Sequence, residues 1–336
     1  MKTKRERIQF IIFFGTGLIA AGVLFFFLNY RLNARPKDAP EPIYGVTFSK
    51  TYAEDFGLDW KSVYLAALDD LKIRRFRIPV YWSDVEPEPR NFNFEDYDWM
   101  LAEAQKREAK IILGIGRKLP RWPECHIPAW AEKLTPQEQQ LKLAGSLATI
   151  VKHFRKNPAI LYWQVENEAL FPFGLCPKPD ISFLKTEVEI VRDLDKRLVV
   201  ITDSGELSTW LKTAEIGDVL GVSMYRATWD NFFGYFYFPI PPAYYDKKAN
   251  VVSPRLVEKV IVTELQAEPW GRLPLTELPI NEQYGSMNIQ KFKANLDFAY
   301  RTGLPEIYLW GMEWWYWVRE KHDNPEFWNE AKKLWK

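Results

Sequence analysis

Two glutamates in the sequence stand where a pair of carboxylates could cleave a glycosidic bond. Glu168 closes the string Tyr-Trp-Gln-Val-Glu-Asn-Glu, and Glu264 closes the string Val-Ile-Val-Thr-Glu. Each string has the pattern of a short β-strand that ends in a carboxylate. Glycoside hydrolysis needs one protonated acid to donate to the leaving oxygen and one ionised carboxylate on the opposite side of the anomeric carbon. Burial and mutual repulsion separate the pKa values of such a pair.

Eight short β-branched runs alternate with helical periodicity and would position these two groups. They begin about every 38 residues, which is the repeat of a (β/α)8 barrel with some enlarged loops. The sequence therefore predicts a (β/α)8 TIM barrel whose chemistry lies at the carboxyl ends of the strands. The predicted strands are Ile43–Phe48, Arg75–Val80, Lys110–Ile115, Leu161–Glu166, Leu198–Asp203, Val219–Met224, Lys259–Glu264 and Glu306–Gly311.

The intervening helices have clear sequence signals. Pro136 to Phe154 is amphipathic, with Thr135 as its N-cap, Pro136 at the first helical position and Glu138 at the capping-box position. Ile181 to Leu194 is a second amphipathic helix. An open doubly wound sheet would alternate in the same way, but no glycine-rich phosphate loop follows the first strand, so the barrel is favoured.

The N-terminal segment has the pattern of a membrane anchor. Residues 8–28 carry no charge and are long enough to span a bilayer. The basic flank before them favours an N-terminus inside and a catalytic domain outside the cell membrane. A cleaved signal peptide is the alternative, although its apolar region would be shorter, about 7–15 residues, and would end in small residues. The predicted domains are a cytoplasmic basic flank (1–7), a transmembrane signal anchor (8–30), a Pro-rich linker (31–42) and the barrel (43–336).

The two strand ends carry a more specific resemblance. The Asn-Glu pair after the fourth strand, with a glutamate after the seventh, resembles clan A of the glycoside hydrolases, in particular the cellulase-like family 5 and the β-galactosidase-like families 35 and 42. The resemblance covers residues 43–317 and implies that Glu168 is the acid/base, Glu264 the nucleophile and Asn167 a donor to the sugar 2-hydroxyl. It also implies retention of configuration, with carboxyl groups about 5 Å apart. Ala169 replaces a proline usual in family 5, so the family stays open.

Three further residues match the clan pattern by position. Arg77 corresponds to the arginine that binds the nucleophile's carboxylate, and a nearby cation keeps such a group ionised. Tyr225 corresponds to a tyrosine that donates to the nucleophile, and Trp310 to the tryptophan under the reacting sugar. The alternative for Arg77 is a surface salt bridge, and the alternative for the two aromatic residues is packing within the barrel.

Other carboxylates compete for roles in the site. Glu268 lies just beyond the seventh strand and is either a substrate-binding group or a rival nucleophile. Glu206, after the fifth strand, is expected to touch sugar hydroxyls, and Glu313, after the eighth, is expected to do likewise. Glu166 alternates with Glu168 along the chain and is expected to point to the other face.

The only two cysteines, Cys125 and Cys176, fall in the loops after the third and fourth strands. These loops are neighbours on the catalytic face, and thiols oxidise outside the cytoplasm, so a disulfide between them is expected. Two cysteines and one nearby histidine are too few for a metal site, and no cofactor is expected.

Trp229 to Tyr245 holds many aromatic residues and follows the sixth strand. It is a sugar-stacking wall, a segment that rests on the bilayer or a partner, or a lid packed on its own barrel.

Composition excludes one class of partner and weakly favours another. The 45 basic and 44 acidic side chains nearly cancel, so the charge pattern does not suggest nucleic-acid binding. The 15 tryptophans suit a carbohydrate partner but also fill cores.

The sequence therefore predicts a retaining hydrolase of β-linked glycosides. A catalytically silent glycan-binding or scaffold barrel and a transglycosidase remain alternatives, and no oligomeric state is predicted.

Overall fold

A computed structural model describes residues 31–335, and its main feature is a closed barrel of parallel strands. The strands are β1 (Ile43–Thr47), β2 (Arg75–Pro79), β3 (Lys110–Ile115), β4 (Ile160–Val165), β5 (Val199–Asp203), β6 (Val219–Met224), β7 (Ala227–Asp230), β8 (Gly234–Tyr237), β9 (Lys259–Gln266) and β10 (Glu306–Trp310). Eight of them close in the order β1-β10-β9-β6-β5-β4-β3-β2, while β7 and β8 form a separate antiparallel hairpin. The predicted (β/α)8 barrel is confirmed.

The predicted barrel strands agree closely with the observed ones, and each begins within one residue of its predicted start. The main difference is at β9, which continues beyond Glu264 to Gln266. Leu265 and Gln266 pair in register with Leu309 and Trp310 of β10, so backbone hydrogen bonding extends past Glu264. The side chain of Glu264 is therefore held by a rigid strand.

Helices surround the barrel and close its ends. They are α1 (Lys50–Asp55), α2 (Trp60–Asp69), α3 (Trp82–Val85), α4 (Glu95–Lys106), α5 (Pro136–Phe154), α6 (Ile181–Leu194), α7 (Leu211–Ala214), α8 (Pro242–Val252), α9 (Ile280–Ser286), α10 (Ile289–Thr302), α11 (Met312–His322) and α12 (Glu326–Ala331), followed by a 3-10 turn, Lys332–Trp335. Helices α5 and α6 have the predicted bounds. The predicted capping box of α5 is present, with Thr135 and Glu138 binding each other's backbone N–H groups.

The core has two parts. Outward-facing strand residues pack against the helices in one large apolar cluster. A smaller cluster, which includes Ile112, Val200 and Ile261, fills the barrel interior. Above it on β6, Gly221 leaves room for neighbouring threonines, because a Cβ at Gly221 would lie 2.5 Å from Thr263 Cγ2. The interior is thus packed directly beneath the polar residues at the strand ends.

The aromatic stretch Trp229–Tyr245 divides into two parts. Its first part belongs to the β7–β8 hairpin, whose tip residues Phe232 and Phe233 are 86% and 77% exposed. Its second part enters α8, where Tyr245 is fully buried. The stretch is therefore packed on the barrel at one end and open to solvent at the other.

Residues 31–42, predicted as a linker, lie against the amino-terminal end of the barrel. The Arg35 guanidinium stacks over the ring of Tyr300 at 3.8 Å and donates to the Tyr300 carbonyl oxygen at 2.6 Å. It also donates to the carbonyl oxygen of Pro40 at 2.5 Å. The predicted anchor, residues 8–30, lies outside the described residues. Within residues 31–335, no helix combines the length and hydropathy that a membrane span requires.

The interior position of Gly221 yields a stability prediction. We expect Gly221→Ala to lower the free energy of unfolding by about 1 to 3 kcal/mol, because the new methyl group overlaps Thr263 and Thr202. Gly145→Ala in α5 is the matched control, since a Cβ there meets nothing within 4 Å. The control should stabilise the protein by up to about 1 kcal/mol. Urea unfolding of both variants checks this, and equal effects would contradict the packing described here.

Candidate active site

The two predicted catalytic carboxylates are placed by different backbone devices. Glu264 lies within β9, whereas Glu168 lies three residues beyond the last residue of β4. Glu166 and Glu168 both have positive φ angles, 57° and 45°, a conformation that non-glycine residues rarely adopt and that costs about 1 to 3 kcal/mol. The Glu168 N–H donates to Thr202 Oγ1 at 2.7 Å. The turn after β4 is therefore anchored by β5.

Arg77 links the residues around Glu264. This side chain is 1% exposed and its guanidinium donates to Glu264 Oε1 at 2.8 Å. It also donates to Asn167 Oδ1 at 2.6 Å and to Gln164 Oε1 at 2.7 Å. On the other carboxylate oxygen, Glu264 Oε2 accepts from the Tyr225 hydroxyl at 3.0 Å. Glu264 therefore has a buried cation and a neutral donor, both of which stabilise its ionised form.

Glu168 has the opposite environment. Within residues 31–335 no cation bonds its carboxyl group, although Lys118 Nζ donates to its backbone carbonyl at 3.0 Å; Oε1 accepts from the Ser223 hydroxyl at 2.7 Å. Burial raises the pKa of Glu168 to about 8, and the negative charge of Glu264 adds to this rise. Glu168 is therefore protonated at neutral pH beside a carboxylate that is bound to arginine. This is the division of protonation that an acid and a nucleophile require.

Asn167 is fixed by its amide oxygen. Oδ1 accepts from Arg77 and also from Thr202 Oγ1 at 3.0 Å. The amide nitrogen is consequently the donor, and the side chain of Asn167 also hydrogen-bonds the carboxyl group of Glu124. A sugar hydroxyl could accept this hydrogen bond, which is the role implied by the resemblance.

Glu124 is a third carboxyl group in the centre, and no sequence signal pointed to it. It lies in the loop after β3, has a positive φ of 73°, and is 7% exposed. Burial raises the pKa of Glu124 well above its usual range, and the charges of Glu264 and Glu168 raise it further. Its Oε2 atom is buried without a hydrogen-bond partner in the part of the chain that the structure describes.

A second buried group, which we name the Arg121 cluster, contains Arg121, Glu268, Glu313, Tyr52 and Trp310. The Arg121 guanidinium lies between two rings, 3.6 Å from the centroid of Tyr52 and 4.0 Å from that of Trp310. It forms ion pairs with Glu268 and, at 3.0 Å, with Glu313. Burial raises the pKa of Glu268 to about 7, opposed by the charge of Arg121. Trp310 thus carries a guanidinium on its ring, and Glu268 is bound to a different arginine from Glu264.

Glu206 lies behind Tyr225 and does not compete with the central pair. Its Oε1 atom accepts from the Tyr225 backbone N–H at 2.7 Å and from the Tyr245 hydroxyl at 2.5 Å. Burial raises the pKa of Glu206 to about 7. The contacts place this carboxyl group where it orients Tyr225. Glu166 likewise binds the loop after β3, accepting from the N–H groups of Arg117 and Lys118.

A row of aromatic rings leads outward from Tyr225. The centroids of Tyr225 and Trp270 are 5.2 Å apart, those of Trp270 and Phe173 6.3 Å, and those of Phe173 and Trp122 6.3 Å. We name these four residues the aromatic rim. Trp122 is 63% exposed and Phe173 36% exposed.

The predicted disulfide between Cys125 and Cys176 is present, with Cα atoms 5.3 Å apart. It joins the loops that carry Trp122 and Phe173. These two rings therefore belong to one tethered surface beside the catalytic pair.

Comparison with known proteins identifies the fold. No protein-family model matches the chain, and no curated protein matches it in sequence. Among solved structures, GH5_18 from Streptomyces cattleya in complex with GlcNAc is 16% identical and has a TM-score of 0.56. The match covers 81% of this chain and 71% of the GH5_18 chain. The cold-adapted β-galactosidase from Rahnella sp. R3 is 11% identical, with coverages of 90% and 57% and a TM-score of 0.61.

An endo-β-1,4-xylanase from Gloeophyllum trabeum is also similar, at 16% identity, with coverages of 90% and 99% and a TM-score of 0.53. The chain shares the barrel fold of clan A. The resemblance seen in the sequence is therefore confirmed at the level of the fold, and the family within the clan stays open. The chain spans less than two thirds of the β-galactosidase from Rahnella.

The raised pKa of Glu168 yields a prediction about stability and pH. Burial raises the pKa of Glu168 from 4.5 to about 8. Between these two pH values the folded protein keeps a proton that the unfolded chain has released. The contribution of Glu168 to the free energy of unfolding therefore falls as pH rises from 4.5 to 8. Glu168→Gln removes the titration. We expect its stability relative to the wild type to increase between pH 5 and pH 8 by about 2 to 4 kcal/mol.

Urea unfolding at the two pH values measures this difference. Glu215→Gln, at an exposed position, is the matched control. A difference between Glu168→Gln and the wild type that is the same at both pH values would show that Glu168 does not titrate in this range.

Proposed function

We propose that the protein is a retaining glycoside hydrolase that acts on β-linked glycosides. The observation that carries this proposal is the contrast between two neighbouring glutamates in one site. Glu264 is bound by Arg77 and Tyr225, while the half-buried carboxyl group of Glu168 accepts from Ser223 and has a pKa of about 8. The resemblance to clan A and the shared fold support the same reaction. The substrate class and the residue roles rest on these arguments together.

The proposed reaction has two displacements. The Glu264 carboxylate attacks the anomeric carbon while Glu168 donates its proton to the glycosidic oxygen, which leaves as an alcohol. The sugar is then held as an ester of Glu264. Glu168, now a carboxylate, takes a proton from water, and the water oxygen attacks the anomeric carbon and releases Glu264. Two inversions retain the configuration, and Glu168 ends with its proton restored.

The other residues have supporting roles in this proposal. Arg77 and the Tyr225 hydroxyl keep Glu264 ionised and oriented. Asn167 donates to the 2-hydroxyl of the reacting sugar, a bond that strengthens in the transition state. Glu268 is a poorer nucleophile candidate than Glu264, because the Arg121 cluster binds it away from Tyr225 and Arg77. We also propose that residues 8–30 anchor the protein in the cell membrane, with the barrel outside.

A nucleophile-rescue experiment tests the assignment. We expect Glu264→Ala to lower kcat on 4-nitrophenyl β-glycosides by about 10⁴-fold or more, because the covalent ester cannot form. Azide should partly restore turnover and give a glycosyl azide of inverted configuration. The panel includes β-galactosides, β-mannosides, β-xylosides and β-N-acetylglucosaminides, since similar folds are named for such sugars.

Glu268→Ala is the matched variant for this test. It removes a neighbouring buried glutamate and should show no rescue by azide. Rescue of Glu268→Ala in place of Glu264→Ala would move the nucleophile to Glu268. Glycan binding without turnover of any member of the panel would instead support the silent barrel.

The pKa of Glu168 predicts the alkaline limb of activity. Since the acid must carry its proton, we expect kcat/KM on poorly activated glycosides to fall as pH rises through about 8. Glu168→Ala should lose this limb and should lower kcat/KM by about 10² to 10⁴-fold.

A 2,4-dinitrophenyl glycoside provides the control, because its leaving group needs no protonation. Glu168→Ala should slow formation of the glycosyl-enzyme from this substrate only slightly. An alkaline limb that persists in Glu168→Ala would assign the proton to another group.

A further inference from the structure

The two sides of the barrel mouth differ in how they are filled. In the closed strand order, β4 and β10 lie four strands apart in either direction, so they are diametrically opposite. Glu168 follows β4, and Trp310 ends β10. The side of β4 is the leaving-group side, because the acid donates to the oxygen that departs. Any sugar preceding the reacting one must extend toward the side of β10.

The side of β10 is filled by the Arg121 cluster. Arg121, Glu268 and Trp310 are 5–7% exposed, and Glu313 is fully buried. Arg121 reaches this place from the loop after β3 and is held by two carboxylates and two aromatic faces. Glu313 is fixed in turn, because its Oε1 atom accepts from the Ser49 N–H at 2.6 Å. The cluster is thus a buried, ion-paired wall, in which only Arg121 Nε and Glu268 Oε2 have no hydrogen-bond partner among the described residues.

A ligand would not easily displace the side chains of the Arg121 cluster. A preceding sugar would have to displace Arg121 from both rings and leave two carboxyl groups buried without their cation. Uncompensated buried charge is strongly unfavourable. The volume at the end of β10 is therefore not available as a second sugar subsite.

The mouth also carries aromatic rings outside the Arg121 cluster, on the loops after β3, β4, β6 and β9. The aromatic rim runs outward from Tyr225, and its outer members Trp122 and Phe173 are exposed. Flat aromatic faces of this kind pack against the apolar faces of sugar rings. Glu168 and Tyr225 are themselves only partly buried, so the centre is accessible from solvent.

We infer that the enzyme is exo-acting: it accepts a single non-reducing terminal sugar against the Arg121 cluster and binds the remaining saccharide on the aromatic rim. This inference rests on the proposed glycosidase function and adds its mode of attack. Its substrates are then the free non-reducing ends of β-linked oligosaccharides or glycoconjugates. Internal bonds of a polysaccharide are excluded by the wall.

Product analysis on the wild-type protein tests the inference. The substrate is a β-linked tetrasaccharide, fluorescently labelled at its reducing end, of the sugar whose 4-nitrophenyl glycoside is turned over best. The expected first products are the free monosaccharide and the labelled trisaccharide. A 4,6-O-benzylidene block on the terminal sugar should slow cleavage by at least about 100-fold, because the block clashes with the wall.

A labelled mono- or disaccharide as the first product, or rapid cleavage of the blocked substrate, would overturn the exo mode and leave the two-carboxylate reaction intact. Absence of turnover with every aryl glycoside would overturn the proposed function and the inference with it.

Two exposed aromatic residues give a matched pair of variants for the rim. Trp122→Ala should raise KM for the labelled tetrasaccharide by about 3- to 10-fold, because one stacking face is lost. Phe232→Ala, at the tip of the β7–β8 hairpin, removes a similarly exposed ring outside the rim and should leave KM unchanged. An equal effect of both variants, or no effect of Trp122→Ala, would contradict binding of the leaving saccharide on the rim.

Discussion

The catalytic side of the barrel depends on one buried cation, the guanidinium of Arg77. Its donors reach Gln164, Asn167 and Glu264, which come from β4, the turn after it and β9. A planar group with fixed donor directions specifies the positions of all three partners at once, which a lysine could not do. Because the positive charge is buried, it needs a carboxylate beside it, and Glu264 meets that need. The position and the ion pair of the proposed nucleophile are therefore built into the fold.

Charge in the rest of the mouth is balanced locally. Arg77 pairs with Glu264, whereas burial and the charge of Glu264 raise the pKa of Glu168 more than the nearby ammonium of Lys118 lowers it. In the weakly polar interior of the mouth, the Coulomb energy between two charged groups changes strongly over a few ångströms. Arg121 forms its own ion pairs with Glu268 and Glu313 and is shared with neither central carboxylate. Two arginines thus bind different buried glutamates: Arg77 binds Glu264, and Arg121 binds Glu268 and Glu313.

The barrel and the placement of Glu168 and Glu264 at its strand ends could be predicted because they follow from local patterns. Strand and helix periodicity located every barrel strand, and Glu168 and Glu264 stand where strands end. Arg121 could not be found this way. It lies in a long loop without periodicity, has a positive φ, and meets Glu313 from the far end of the chain. Glu124 could not be predicted for the same reason, since its position depends on the backbone conformation of the loop after β3. Trp310 was expected beneath the sugar, and the guanidinium on its ring was not foreseeable from β10 alone.

The contact between Arg35 and Tyr300 also determines at which end of the barrel the N-terminal segment lies. It holds residues 31–42 at the amino-terminal end of the barrel, whereas Glu168 and Glu264 open at the carboxyl-terminal end. For a protein tethered through its N-terminus, the opening would point away from the bilayer. Headgroup sugars of the same leaflet would then lie behind the enzyme.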